Sequence, residues 1–147
     1  SNKKKFRYIS HTADVSFFGY GKTYEECFKN SAEAMFNLIF NSEVLKNKKT
    51  KFYKIKIIDS AKTIDDLLWF FLQDIVSKIY SDNISILKIK KIIIENRLGS
   101  YRINAILLYT KNFDQNNFLM DVKAVTPHNL FITKYKNGLR SRVILDI

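Results

Sequence analysis

The chain has 147 residues and a mass of 17.3 kDa, the size of one compact domain. Its 25 Lys and Arg residues exceed 14 Asp and Glu by 11, and so basic a balance invites a nucleic-acid partner. With 46% apolar and 14% aromatic residues the chain can bury a core, which excludes disorder; Cys27 is its one cysteine, which excludes a disulfide scaffold and a zinc site of several thiolates.

Residues 1–147 are expected to form a single domain, with Ser1-Asn2 reading as an expression scar that carries no argument. Residues 6–9 and 14–20 read as short strands either side of a turn at His11-Thr12-Ala13. Residues 23–40 read as a helix. Thr23 and Glu26 have capping-box spacing, with Glu26 able to reach the Thr23 N–H. Phe28, Ala32, Met35, Phe36 and Ile39 then form one apolar stripe. Residues 51–58 alternate, Tyr53, Ile55 and Ile57 against Lys54 and Lys56, as a half-buried strand does.

A second helix is expected over 64–80. Thr63 suits its N-cap, and Asp65 and Asp66 suit the positive end of its dipole. Trp69, Val76 and Tyr80 make a second stripe on it, read as core in preference to a partner surface. Strands are expected at 86–95, 101–109, 118–125, 129–135 and 139–146. Residues 96–100 should be a hairpin connection, and Asn137-Gly138 a two-residue type I′ turn. The pattern gives an α+β fold, two amphipathic helices on one face of a mostly antiparallel sheet.

The basic start is followed by no apolar signal segment, because Ser10, His11, Thr12 and Asp14 interrupt it. The longest apolar run, residues 67–72, is too short to span a bilayer. A soluble cytoplasmic protein is expected, nuclear if eukaryotic, with no membrane partner. Of the basic residues 20 are Lys and 5 are Arg, a ratio that suits a diffuse basic surface better than a built phosphate clamp.

Nucleotide-binding and hydrolase signatures are missing. There is no phosphate-binding loop of the Walker type, and Gly19-Tyr20-Gly21 lacks the third glycine of a dinucleotide fingerprint. Cys27 sits within the first helix and reads as a packed thiol. Three polar spots remain: residues 11–14, residues 121–128, and the end at Asp146-Ile147. Asp121 and Lys123 share a strand face and pair on the surface in the plain reading. A turn at Asn137-Gly138 would set Asn129 opposite Asp146 and His128 opposite Ile147; a bulge would shift that register. Carboxylates gathered at the chain end would need a cation or protons.

The segments His11-Thr12-Ala13-Asp14-Val15, Gly19-Tyr20-Gly21-Lys22-Thr23-Tyr24-Glu25-Glu26, Val122-Lys123-Ala124-Val125-Thr126 and Asp146-Ile147 resemble the archease family, in order and over nearly the whole chain. The resemblance implies a non-catalytic accessory protein that activates the RtcB-type RNA-splicing ligase, promoting its guanylylation and repeated turnover in tRNA splicing. The ligase is then the direct partner, and tRNA an indirect one. The resemblance also implies a divalent-cation site, calcium first with magnesium or manganese as options, built from Asp14, Asp146 and the end-of-chain oxygens of Ile147. It assigns Lys123 to charge neutralisation or a ligase phosphate, and His11 to orienting Asp14. Asp121 stands where the family usually has Glu, and Pro127 where it usually has an aromatic. The competing expectation is a stand-alone basic RNA-binding or RNA-chaperone module; a metal-dependent hydrolase ranks last, for want of a nucleophile–base pair.

Overall fold

Alternation of apolar and polar residues builds the first strands of the computed structural model, which describes residues 4–10, 13–47, 51–111 and 115–147. β1 (Phe6–Ser10) pairs antiparallel with β2 (Asp14–Gly21). Along β2, Val15, Phe17 and Gly19 are buried toward the helices, while Asp14, Phe18 and Tyr20 lie half-buried on the other face. α1 (Tyr24–Ile39) starts at Thr23, whose side chain accepts from the Glu26 N–H at 3.1 Å. Glu26 reaches back as expected, but to the Lys22 N–H at 3.3 Å and not to that of Thr23.

A short α2 (Ser42–Asn47), which the sequence reading passed over, leads to β3 (Tyr53–Ala61). α3 (Ile64–Ser81) is capped by Thr63, which accepts from Asp66 N–H at 3.1 Å. β4 (Ser85–Arg97) and β5 (Ser100–Thr110) form a hairpin whose turn residues Leu98 and Gly99 both have positive φ. A 3-10 turn (Gln115–Asn117) follows, then β6 (Ala124–Val125), β7 (Phe131–Tyr135) and β8 (Gly138–Asp146).

The α+β class is the expected one, with the strands divided into two antiparallel sheets. In the first, β8 lies between β2 and the tandem pair β6 and β7; the second runs β3-β5-β4. Each long helix touches both sheets. α1 packs on β2, β8 and β4, and α3 on β3, β5 and β6. Phe28 and Phe71 join the helices, ring centroids 6.1 Å apart. No helix among the described residues is long and apolar enough to cross a membrane.

Glycine lets α1 approach the first sheet. A Cβ on Gly19 would lie 2.3 Å from Ser31 Oγ, and one on Gly21 2.3 Å from the Cys27 nitrogen. In the space so gained, Ser31 and Ser141 share a buried hydrogen bond of 2.6 Å, and the Gly19 N–H donates to Ser141 Oγ. Cys27 is packed as expected; burial pushes its thiol up to about 11.

Two expectations fail. The turn before β8 consists of Lys136 and Asn137, and Lys136 takes the positive φ of 52°. Gly138 pairs with Tyr135 and belongs to the strand, and it is glycine there because a Cβ would meet the Gly21 carbonyl oxygen at 2.6 Å. The strand expected over 118–125 shrinks to β6 and a single bridge between Phe40 and Phe118.

The half-buried Asp59 makes stability depend on pH. Burial, and the neighbouring Asp74 carboxyl, push Asp59 up to about 7. The folded chain then holds a proton that the unfolded chain releases near pH 4, roughly its ordinary range. That contribution is complete below the ordinary range and is lost as pH rises through about 7. Asp59→Asn is expected to raise the melting temperature at pH 8, less so at pH 5, and to leave it unchanged at pH 3, below the ordinary carboxylate range. Thermal unfolding across this range checks it; an unaltered pH slope would contradict the assignment.

Candidate functional site

The site begins with strand register. β2 pairs with β8 so that Asp14, the first residue of one, is directly opposite Asp146, the last of the other. Cross-strand partners have Cβ atoms about 5 Å apart, and like charges in that position repel. Asp14 is half-buried and Asp146 exposed. On the far side of β8, Ala124 of β6 is opposite Asp146, and the Lys123 N–H donates to the Asp146 carbonyl at 2.8 Å. The Ile147 N–H points back to the Ala13 carbonyl at 3.4 Å. The two sequence motifs that lie 132 positions apart, Asp14 and Asp146, are thus neighbours in space.

The expected pairing of Asn129 with Asp146 and of His128 with Ile147 is not formed. The turn correction moves the register, and the chain loops out between Val125 and Phe131. There Asn129 takes a positive φ of 58°, the Leu130 N–H turns back to the Pro127 carbonyl at 3.4 Å, and His128 is exposed.

The other candidates are placed as follows. Lys123 is exposed, and its ammonium forms no ion pair with either aspartate among the described residues. Asp121 is exposed and acts on Tyr80, whose hydroxyl is pushed up by burial, the Asp121 charge adding to the rise and the bond to Val122 opposing it. No three His, Cys, Asp or Glu side chains come together as a metal cluster among the described residues. Asp121 is therefore not a third member of the Asp14–Asp146 pair. His11 lies outside the described residues.

Sequence reasoning missed what holds this corner. Residues 122–132 form little sheet, so their backbone needs other partners. α3 supplies them along one stripe. Tyr80 Oη accepts from Val122 N–H at 2.8 Å, and Gln73 Oε1 from Val125 N–H at 2.8 Å. Trp69 Nε1 donates to the Val125 carbonyl at 2.7 Å, and Asp65 Oδ1 accepts from Ile132 N–H at 2.9 Å. Trp69 is half-buried and committed inside the molecule, as the core reading expected. The signal was the spacing of Asp65, Trp69 and Gln73, one helical turn apart each.

The profile of the Archease protein family (MTH1598/TM1083) matches residues 6–147. The chain belongs to the archease family. Protein archease of Methanosarcina barkeri is 34% identical over 149 residues, covering 100% of this chain and 99% of that one. Among solved structures, protein 1598 of Methanobacterium thermoautotrophicum superposes with a TM-score of 0.81 at 24% identity, over 97% of this chain and 99% of that one. A Thermotoga maritima archease described as a possible chaperone gives 0.54 at 16% identity, over 95% and 94%. These two likenesses bear on the fold alone.

Two carboxylates directly opposite across a strand pair repel. Asp14→Asn or Asp146→Asn is expected to stabilise the metal-free chain by about 0.2–1 kcal/mol at neutral pH and low salt. The double variant should gain less than the sum of the two. Denaturant unfolding in the presence of a chelator checks it, and strict additivity would mean the two groups do not interact.

Proposed function

We propose that this archease is a non-catalytic activator of a GTP-dependent RNA-splicing ligase of the RtcB type. In this reading it promotes guanylylation of the ligase and its repeated turnover during tRNA splicing. The observation that carries the proposal is the direct opposition of Asp14 and Asp146 across β2 and β8. Family membership supports the accessory role.

The donor set fits a hard divalent cation. Two carboxylates are oxygen donors of the kind that calcium, magnesium and manganese take, and a calcium ion takes roughly six to eight oxygens. Asp14 and Asp146 would hold it, with main-chain oxygen from Ile147. The pair sits at one end of the first sheet, with Asp146 exposed, and does not enclose an ion. Positions would remain for water or for a partner's ligands. Such a cation supplies positive charge at the surface that meets the ligase.

The chain's own residues then have distinct tasks. Asp14 and Asp146 bind, each held at a strand end by backbone pairing. The α3 stripe of Asp65, Trp69, Gln73 and Tyr80 fixes residues 122–132, so that Lys123 stands at the edge of the site. Lys123 is exposed and is available to a phosphate group of the partner.

A ligation time course with the cognate ligase and excess RNA tests this. With the chain present, product should continue to form after the first turnover; without it, a burst should stop near one. Asp14→Ala and Asp146→Ala should each abolish the continuation while their circular dichroism spectra stay unchanged. Undiminished turnover with both variants would refute the proposal.

A further inference from the structure

The basic charge, which looks diffuse in the sequence, has a local structure. Three of the five arginines stand on one face of the first sheet, turned away from the helices. Register places them together: Arg7 of β1 is opposite Phe18, Phe18 is opposite Arg142 of β8, and Tyr20 is opposite Arg140. No ion pair joins Arg7, Arg140 or Arg142 to a carboxylate among the described residues.

Aromatic rings are interleaved with these charges. The Arg140 guanidinium lies 4.7 Å from the Phe18 ring centroid and 4.4 Å from that of Tyr135. Tyr20 and Tyr135 are themselves 5.7 Å apart. Phe18, Tyr20 and Tyr135 are each only half-buried, and the second cation over the Tyr135 ring, the Lys136 ammonium 5.4 Å from its centroid, belongs to an exposed side chain that a base can displace. Arg140 Nε is buried without a hydrogen-bond partner. Cation–π contact on both sides fixes this arginine in place, which removes much of the entropy cost of using it.

A concave space adjoins this face. A cavity of about 540 Å³ is walled by Tyr20 and Tyr135 and ringed by Lys4, Arg7, Lys22 and Lys136. Its one carboxylate, Glu26, is engaged by the Lys22 N–H at the start of α1. The open face of the second sheet is different in kind. There Lys54, Lys56 and Lys91 are exposed among Ile58, Ile93 and Ile106, which offer charge but no ring to stack on.

We infer that the Arg7–Arg140–Arg142 face and the adjoining cavity bind single-stranded nucleic acid. Phosphates lie along the arginines and the rim lysines, and bases stack on Tyr20 and Tyr135. A basic groove with stacking rings is the recurring form of single-strand recognition. Duplex bases are already stacked on each other and are denied to such rings, and an acidic peptide would have no use for them. The inference does not rest on the ligase reading. Binding by the chain alone and stimulation of ligation are separate measurements.

Fluorescence anisotropy of the full chain with labelled oligouridine, at low and moderate salt, tests it. Binding is expected to weaken steeply with salt and to be stronger than to a duplex of equal length. The double variant Arg7→Gln, Arg142→Gln should lower affinity by roughly tenfold or more and reduce the salt slope by about two. Tyr135→Leu should cost about tenfold while keeping every charge. The triple variant Lys54→Gln, Lys56→Gln, Lys91→Gln should stay within about twofold, because a charge far from the contact is screened. Circular dichroism confirms that each variant is folded, and Arg142→Gln alone serves if the double variant is not. An oligodeoxythymidine of the same length asks whether the sugar matters, and binding to either supports the inference. Loss from the lysine triple equal to that from the arginine pair would overturn it. So would equal binding of duplex, displacement by polyglutamate as effective as by oligouridine, or no binding at low salt.

Discussion

Everything in the first sheet depends on the register of β8 against β2. The last strand of the chain enters between β2 and the tandem pair β6 and β7, and one pairing decides the content of both faces. Val15, Phe17 and Gly19 meet Leu145, Val143 and Ser141 in the core. On the open face, Asp14 meets Asp146 and Tyr20 meets Arg140. A slip of one residue would turn the carboxylates and the arginines inward, so burial of the core locks the acidic pair and the basic face together. The Ser31–Ser141 hydrogen bond, made in the space left by Gly19, reinforces that register from α1.

The second constraint is the stripe on α3. A segment without a full strand must find partners for its backbone groups, or bear the cost of burying them unpaired. Asp65, Trp69, Gln73 and Tyr80 supply those partners from a rigid helix. The stripe lets residues 122–132 pass close to Asp146 while still looping out at Pro127 and His128. The acidic end of the sheet therefore rests on two helices as well as on strand pairing.

Much of this was legible in the sequence, and the failures have a common cause. Helix caps at Thr23 and Thr63 follow from local chemistry, as does the alternation in β3. The Asn137-Gly138 turn misled because Gly138 is glycine for a tertiary reason, the nearby carbonyl of Gly21. With that turn went the supposed facing of Asp146 by Asn129. Asp14 and Asp146 were marked as candidates by resemblance, but no local pattern says that β8 lies beside β2. The basic face was hidden for the same reason. Arg7, Arg140 and Arg142 are far apart in the chain, and the abundance of lysine masks them until the sheet gathers them.

An acidic pair and a basic aromatic face thus share one sheet surface, at opposite ends of β2 and β8. Tyr20 lies six positions along β2 from Asp14, or about 20 Å at strand rise. The facing aspartates are the proposed cation site. Isothermal titration calorimetry with calcium, magnesium and manganese tests it most directly, on the unaltered chain and on Asp14→Asn and Asp146→Asn. A single cation should bind per chain and be lost in both variants, whose amide groups keep the shape of the carboxylates but not their charge. Binding that persists unchanged in either variant, or none by the unaltered chain, would contradict it.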